Sequence, residues 1–216
     1  MFYKWEDIKK KSKYNTIAER DLKENAKEVI IKGIAQLPHA DDWDHDALGC
    51  GFSKRCTEKR WCRCLVNFTK TENTNKSCDK CFLKKEYAKP IENARFTDFE
   101  VPASSSSGDK IGEIDVILEY EGKEYCTEVK PKWNGESLLR MIAEIITYCH
   151  VRKEKRDKAI MFEKGSEQYW QWTGQKNGKP YRHAAREQIK KIIKDNDITV
   201  FCIEDKGNTY RLEKLN

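Results

Sequence analysis

The segment from Gly112 to Arg152 leaves few folds open to this chain. It runs "GEIDVILEYEGKEYCTEVKPKW" and, after Asn134, "GESLLRMIAEIITYCHVR". Two runs rich in β-branched and aromatic residues flank a Glu-Gly-Lys turn, the pattern of a β-hairpin. The helix that follows carries an apolar stripe of Leu138, Leu139, Ile142, Ile145, Ile146 and Cys149. Such a stripe needs a sheet to cover.

The remaining elements extend that sheet. Residues 16–37 read as an amphipathic helix, with Leu22, Ala26, Val29, Ile30, Ile34 and Leu37 at helical spacing. Pro38 ends it, and residues 38–90 are loop-rich. "ARFTDFEVP" reads as a strand, "KAIMFE" as another, and "GSEQYWQWTGQKNGKPY" as an aromatic loop. "RHAAREQIKKIIKDN" is a second amphipathic helix, and "DITVFCIED" and "TYRLEKL" are closing strands. The expected fold is α/β, a mixed central sheet flanked by helices. Residues 1–37 and 91–216 form its core, and 38–90 form an insertion.

That insertion concentrates charge and cysteine. The whole chain of 216 residues carries +6. Between Cys50 and Lys89 eleven basic residues face four acidic ones, so the surplus lies in this stretch. A polyanion-binding patch has this distribution, and so does a solvated basic loop. Six of the nine cysteines fall here too: Cys50, Cys56, Cys62, Cys64, Cys78 and Cys81. "WCRC" and "SCDKC" supply C-x-C and C-x₂-C pairs, and close pairs on two turns complete a Zn²⁺ site of four thiolates. Cys50 and Cys56 leave open which four of the six bind. An iron–sulfur cluster is the alternative. Trp61, Phe68 and Phe82 are interleaved with the basic residues, as base stackers or as a small core. An odd cysteine count and an N-terminus without an apolar leader imply a reducing, cytoplasmic setting and no membrane partner.

The hairpin carries its own anomaly. Asp115, Glu128 and Lys130 interrupt the apolar alternation. A tight turn that pairs Tyr120 with Tyr125 sets Asp115 opposite Lys130 and Ile117 opposite Glu128, gathering all three charges on one face. A three-residue turn would send Glu128 to the other face. A half-solvated hairpin with an Asp–Lys pair is the ordinary alternative. Under a covering helix, however, close carboxylates repel unless paired or bound to a divalent cation.

These residues resemble a known family. "GEID" followed by "TEVK" is similar to the D…(D/E)-x-K signature of the PD-(D/E)XK, or restriction-endonuclease-like, nucleases. The resemblance implies that Asp115, Glu128 and the Val129 carbonyl hold Mg²⁺ or Mn²⁺, while Lys130 activates the attacking water. "AEIITYCHV" resembles the Q-x-x-x-Y element of the RecB-like exonuclease branch, with Glu144 in place of glutamine and Tyr148 matching. The family's helix-borne acid would fall on Glu19 or, failing that, on Glu24. The implied function is a divalent-metal-dependent nuclease acting on DNA, for which a homodimer would suit cleavage of both strands, with the zinc-binding insertion helping to hold nucleic acid. A non-catalytic zinc-containing nucleic-acid-binding protein on the same fold is the alternative.

Overall fold

A computed structural model of the chain describes residues 58–70, 89–103, 113–181 and 186–216. It shows a six-stranded mixed sheet with helices on both faces. In chain order the elements are α1 (Glu58–Lys70), β1 (Arg95–Pro102), β2 (Glu113–Tyr120), β3 (Lys123–Lys130) and α2 (Leu138–Arg152). There follow β4 (Asp157–Glu163), α3 (Glu167–Thr173), the short strands β5 (Gln175–Lys176) and β6 (Lys179–Pro180), α4 (Arg186–Asp195), β7 (Ile198–Asp205) and β8 (Tyr210–Lys214). The sheet order is β1-β2-β3-β4-β7-β8; β3, β4 and β7 run parallel and the outer strands antiparallel.

The β2–β3 turn is Glu121–Gly122, with φ of 51° and 75°. Two successive positive φ values match the twist of a two-residue hairpin, and glycine takes one of them without Cβ strain. This turn pairs Leu118 with Tyr125 and Ile117 with Cys126, two residues from the register expected from sequence. An even slip preserves which face each side chain takes, so Glu128 and Lys130 stay together. It does change the neighbours. Continued one step past Val116↔Thr127, the register faces Asp115 with Glu128 rather than with Lys130.

Each face of the sheet has its own core. Ile117, Cys126, Ile160, Phe162, Val200 and Cys202 pack with α2 and α4. Val116, Leu118, Tyr125, Val129, Met161 and Phe201 pack on the other side with Trp61, Cys62, Leu65 and Val66 of α1. Residues 58–70 are therefore part of the core and not of a loop-rich insertion. The cysteines and basic residues of "EKRWCRCLVNFTK" mask an amphipathic helix in a composition-based reading. Trp61 is core, not an exposed stacker. Two of its basic neighbours serve to dock the helix: Arg63 donates to Glu100 at 2.7 Å and lies over the Phe99 ring, and Lys59 pairs with Glu113.

The aromatic loop after β4 is likewise more ordered than expected. Ser166 caps α3 by accepting from the Tyr169 N–H, and Gly174 closes it in the left-handed region. Tyr169 and Trp172 pack on the core. Glu19, Glu24, Phe82, Cys50, Cys56, Cys78 and Cys81 lie outside the described residues. Among the described residues no helix is long and apolar enough to cross a membrane.

Candidate functional site

At the end of β3 the chain brings five carboxylates around one lysine. Lys130 is 2% exposed. Its Nζ lies 2.5 Å from Glu128 Oε1, 2.8 Å from Glu58 Oε1, 3.5 Å from Glu136 Oε2, 3.8 Å from Glu144 Oε2 and 3.9 Å from Asp115 Oδ2. These groups come from five places in the chain. Asp115 and Glu128 stand on adjacent strands, Glu136 on the loop before α2, and Glu144 two turns into α2. Glu58, the first residue of α1, arrives from the opposite face of the sheet.

Of Asp115, Glu128, Lys130, Glu144 and Tyr148, the residues singled out from sequence, all but Tyr148 ion-pair within this cluster. Tyr148 is buried on α2, where burial, and then the charges of Glu144 and Glu128, hold its hydroxyl well above the usual range. It stays a neutral donor. The Val129 N–H donates to Asp115 Oδ2 at 2.8 Å and fixes that carboxylate, a role beyond the one expected of the Val129 carbonyl. Glu58 and Glu136 escaped the sequence reading. Glu58 had a detectable signal, since Glu58, Cys62 and Leu65 share one face of a helix that also carries Trp61 at i+3.

Burial and mutual repulsion govern the electrostatics. Burial first, then Glu58 and Glu144, raise the Asp115 carboxyl to about 7 against the pull of Lys130 and the Val129 N–H. Burial and then Asp115 push Glu128 well above the ordinary carboxylate range. Burial alone would lower Lys130, but Glu128, Asp115, Glu58 and Glu144 together raise it well above its usual value. It is locked as a cation. Arg140 adds a second positive charge, 2.8 Å from Glu144 and 3.1 Å from Glu136. Five acids against two bases leave the cluster short of positive charge.

The donor set suits one hard cation. Carboxylate oxygens of Glu58, Asp115 and Glu128 lie within 4.8 Å of one another, a span that ligands at about 2.0–2.6 Å from a shared ion can bridge. Glu128 Oε2 is buried with no hydrogen-bond partner, a costly state for a carboxylate oxygen unless something positive meets it.

Raised carboxyl pKa values set the sign of a pH effect. Between about pH 4 and 7 the folded Asp115 holds a proton that the unfolded chain has released. Stability in EDTA is therefore expected to fall as pH rises through that window, by several °C in melting temperature between pH 5 and 8. Adding Mg²⁺ or Mn²⁺ at pH 8 should restore it. A melting temperature that rises over this window in EDTA would contradict the assignment.

The site is also held from behind. Asn134 donates through Nδ2 to Glu58 Oε2, and the side chain of Gln168, buried at the start of α3, donates to the Asn134 and Glu136 carbonyls at 3.1 and 2.6 Å. A partner that orients a metal-binding carboxylate typically matters about 10–100-fold in affinity. Asn134→Ala is expected to weaken divalent-metal binding by about that factor in calorimetry, with little change in the metal-free melting temperature.

The cysteine pair "WCRC" does not form a metal-binding turn. Cys62 and Cys64 lie on α1, where residues two apart project in roughly opposite directions, so they cannot close on one ion. Both are buried. Burial, then the charges of Asp115 and Glu58, push the Cys62 thiol well up, which disfavours the thiolate that zinc requires.

No protein-family model and no curated protein matches this sequence. Among solved structures, Pyrococcus furiosus SfsA in complex with Ca²⁺ is similar at 16% identity and a TM-score of 0.28, over 57% of this chain and 53% of that one. The chain thus spans about half the length of the SfsA chain it matches, and a likeness of that size carries no weight for fold or function.

Proposed function

We propose that this chain is a divalent-metal-dependent nuclease that hydrolyses phosphodiester bonds in DNA, of the PD-(D/E)XK type its hairpin resembles. One observation carries the reading: three carboxylates spaced for one cation, with a buried ammonium 2.5 Å from one of them. Glu58, Asp115 and Glu128 would hold Mg²⁺ or Mn²⁺, Glu58 taking the part first assigned to Glu19. When bound, the cation neutralises charge on the phosphate and makes a water acidic enough to attack near neutral pH. Val129 N–H aims the Asp115 carboxylate. Lys130 keeps its proton among the acids and can donate to a phosphate oxygen or orient the attacking water. Arg140 holds Glu144 beside Lys130, and the neutral Tyr148 hydroxyl stands below them on α2.

Zinc remains a proposal for Cys50, Cys56, Cys78 and Cys81, the four cysteines of the basic stretch that are not on α1; elemental analysis of the purified protein distinguishes it from iron. The function is tested by incubating the chain with DNA in Mg²⁺, Mn²⁺ and EDTA. Cleavage that needs the cation and disappears in Glu128→Ala, with DNA binding kept, is the expected result. Binding without cleavage by the wild type would instead make it a nucleic-acid-binding protein on this fold.

A further inference from the structure

Trp133 is the large hydrophobic side chain that stands exposed among the described residues, at 44%. It follows Lys130 by three positions, on the loop that joins β3 to α2. Its ring meets Trp61 edge-on, with centroids 6.3 Å apart and planes at 67°. Trp61 is one helical turn beyond Glu58, and the next residue, Asn134, donates to Glu58. The exposed indole and the carboxylate trio are thus fixed by the same helix and the same loop.

That loop is rigid by construction. Asn134 N–H donates to the Pro131 carbonyl at 2.9 Å, Glu136 N–H donates to Asn134 Oδ1 at 2.8 Å, and Gln168 ties down the Asn134 and Glu136 carbonyls from beneath. A large aromatic surface held in place loses little conformational entropy on binding a flat partner. The adjacent Lys132 is exposed and cationic, and Asn134, next to Trp133 in the chain, holds Glu58 of the carboxylate cluster. A flat apolar group attached to an anionic backbone fits this layout.

Resting on the nuclease reading, we infer that Trp133 is a stacking platform for one unpaired nucleobase beside the bond to be cleaved. A base inside an intact duplex is covered on both faces, so the platform selects single strands, overhangs or frayed ends. Stacking of a base on an aromatic side chain is sequence-tolerant. The preference would be for the strand's unpaired state and not for its sequence.

The test is an abasic scan. Fluorescence anisotropy would follow the wild-type chain binding short fluorescent single strands in Ca²⁺, each strand lacking the base at one position. One position is expected to weaken binding by roughly 5–150-fold, the range for losing one stacked base, and the others little. Trp133→Ala should show that same loss on the intact strand and no further loss at the sensitive position. Trp133→Phe should keep most of the affinity, and none of these changes should alter the salt dependence, because no phosphate contact is removed. Uniform tolerance of abasic positions by the wild type overturns the inference, as does a Trp133→Ala loss that is the same whichever base is missing. Either result leaves metal-dependent cleavage, measured separately, untouched. If the wild type binds no single strand but cleaves DNA with Mg²⁺, the inference falls and the nuclease reading stands; if it neither binds nor cleaves, both fall.

Discussion

Glu128→Gln is expected to abolish metal-dependent cleavage while raising the melting temperature in EDTA. The two effects share one cause. Glu128 is 2% exposed and sits among like charges, with its carboxyl driven well above the ordinary range by burial and by Asp115. The amide has the same shape, and its oxygen can still accept from Lys130 as Glu128 Oε1 does at 2.5 Å. Its nitrogen would replace Oε2, which has no hydrogen-bond partner, and would offer a donor to the neighbouring acids. Removing one repelling charge from such a site is worth about 1 kcal/mol for each pKa unit relieved, or a rise of about 2–4 °C in a chain of this size. The same swap takes away a proposed ligand for the cation, and activity should fall at least about 10²–10³-fold, the scale of losing one strong electrostatic contact in a reacting site. Stabilisation by Mg²⁺ or Mn²⁺ should shrink in parallel. Wild-type activity in this variant, or a lower melting temperature in EDTA, would contradict the assignment of Glu128.

Lys130→Met is expected to be the most damaging single substitution in the site. Methionine preserves the length and apolar stem of lysine but leaves five acids facing only Arg140. Removing one partner from a buried charge network costs about 3–5 kcal/mol, which corresponds to a loss on the order of 10 °C. The loss should deepen as pH rises from about 5 to 8. Lys130 opposes the upward shifts of Asp115 and Glu128, so without it both carboxyls keep their protons to higher pH. In that window the folded chain then binds more protons than the unfolded one, and stability falls with rising pH more steeply than in the wild type. Divalent cation should recover part of the lost stability, since it brings the missing charge. It should not recover cleavage. Thermal melts at pH 5 and pH 8, with EDTA and with Mg²⁺, read the stability changes, and a cleavage assay in Mg²⁺ reads the activity. A melting temperature within a degree or two of wild type at pH 8 in EDTA would mean that the acids are not held together as the structure places them.

These two substitutions lie on the part of the molecule that was most legible in sequence. Period-two alternation through Ile114–Tyr120 and Tyr125–Lys130 marks two strands, and the charges that break it stand out because a buried strand has little reason to carry them. The stripe of α2 is just as plain, and with it Glu144 and Tyr148. The α3 region was less legible, since seven helical residues in "EQYWQWT" are too few to establish a period.

What sequence by itself determined is local and periodic: the strands and helices of the C-terminal part, and the shared face of Glu128 and Lys130. Tertiary structure alone decided the rest. The Glu121–Gly122 turn set the register that brings Asp115 to Glu128, because its geometry selects one of several pairings compatible with the same alternation. Docking of α1 on the far face brought Glu58 across 72 residues of sequence to Lys130, and it turned Trp61 and Cys62 into core. No local pattern encodes such a meeting. It depends on which apolar face covers which side of the sheet, and that is settled only when the whole core closes.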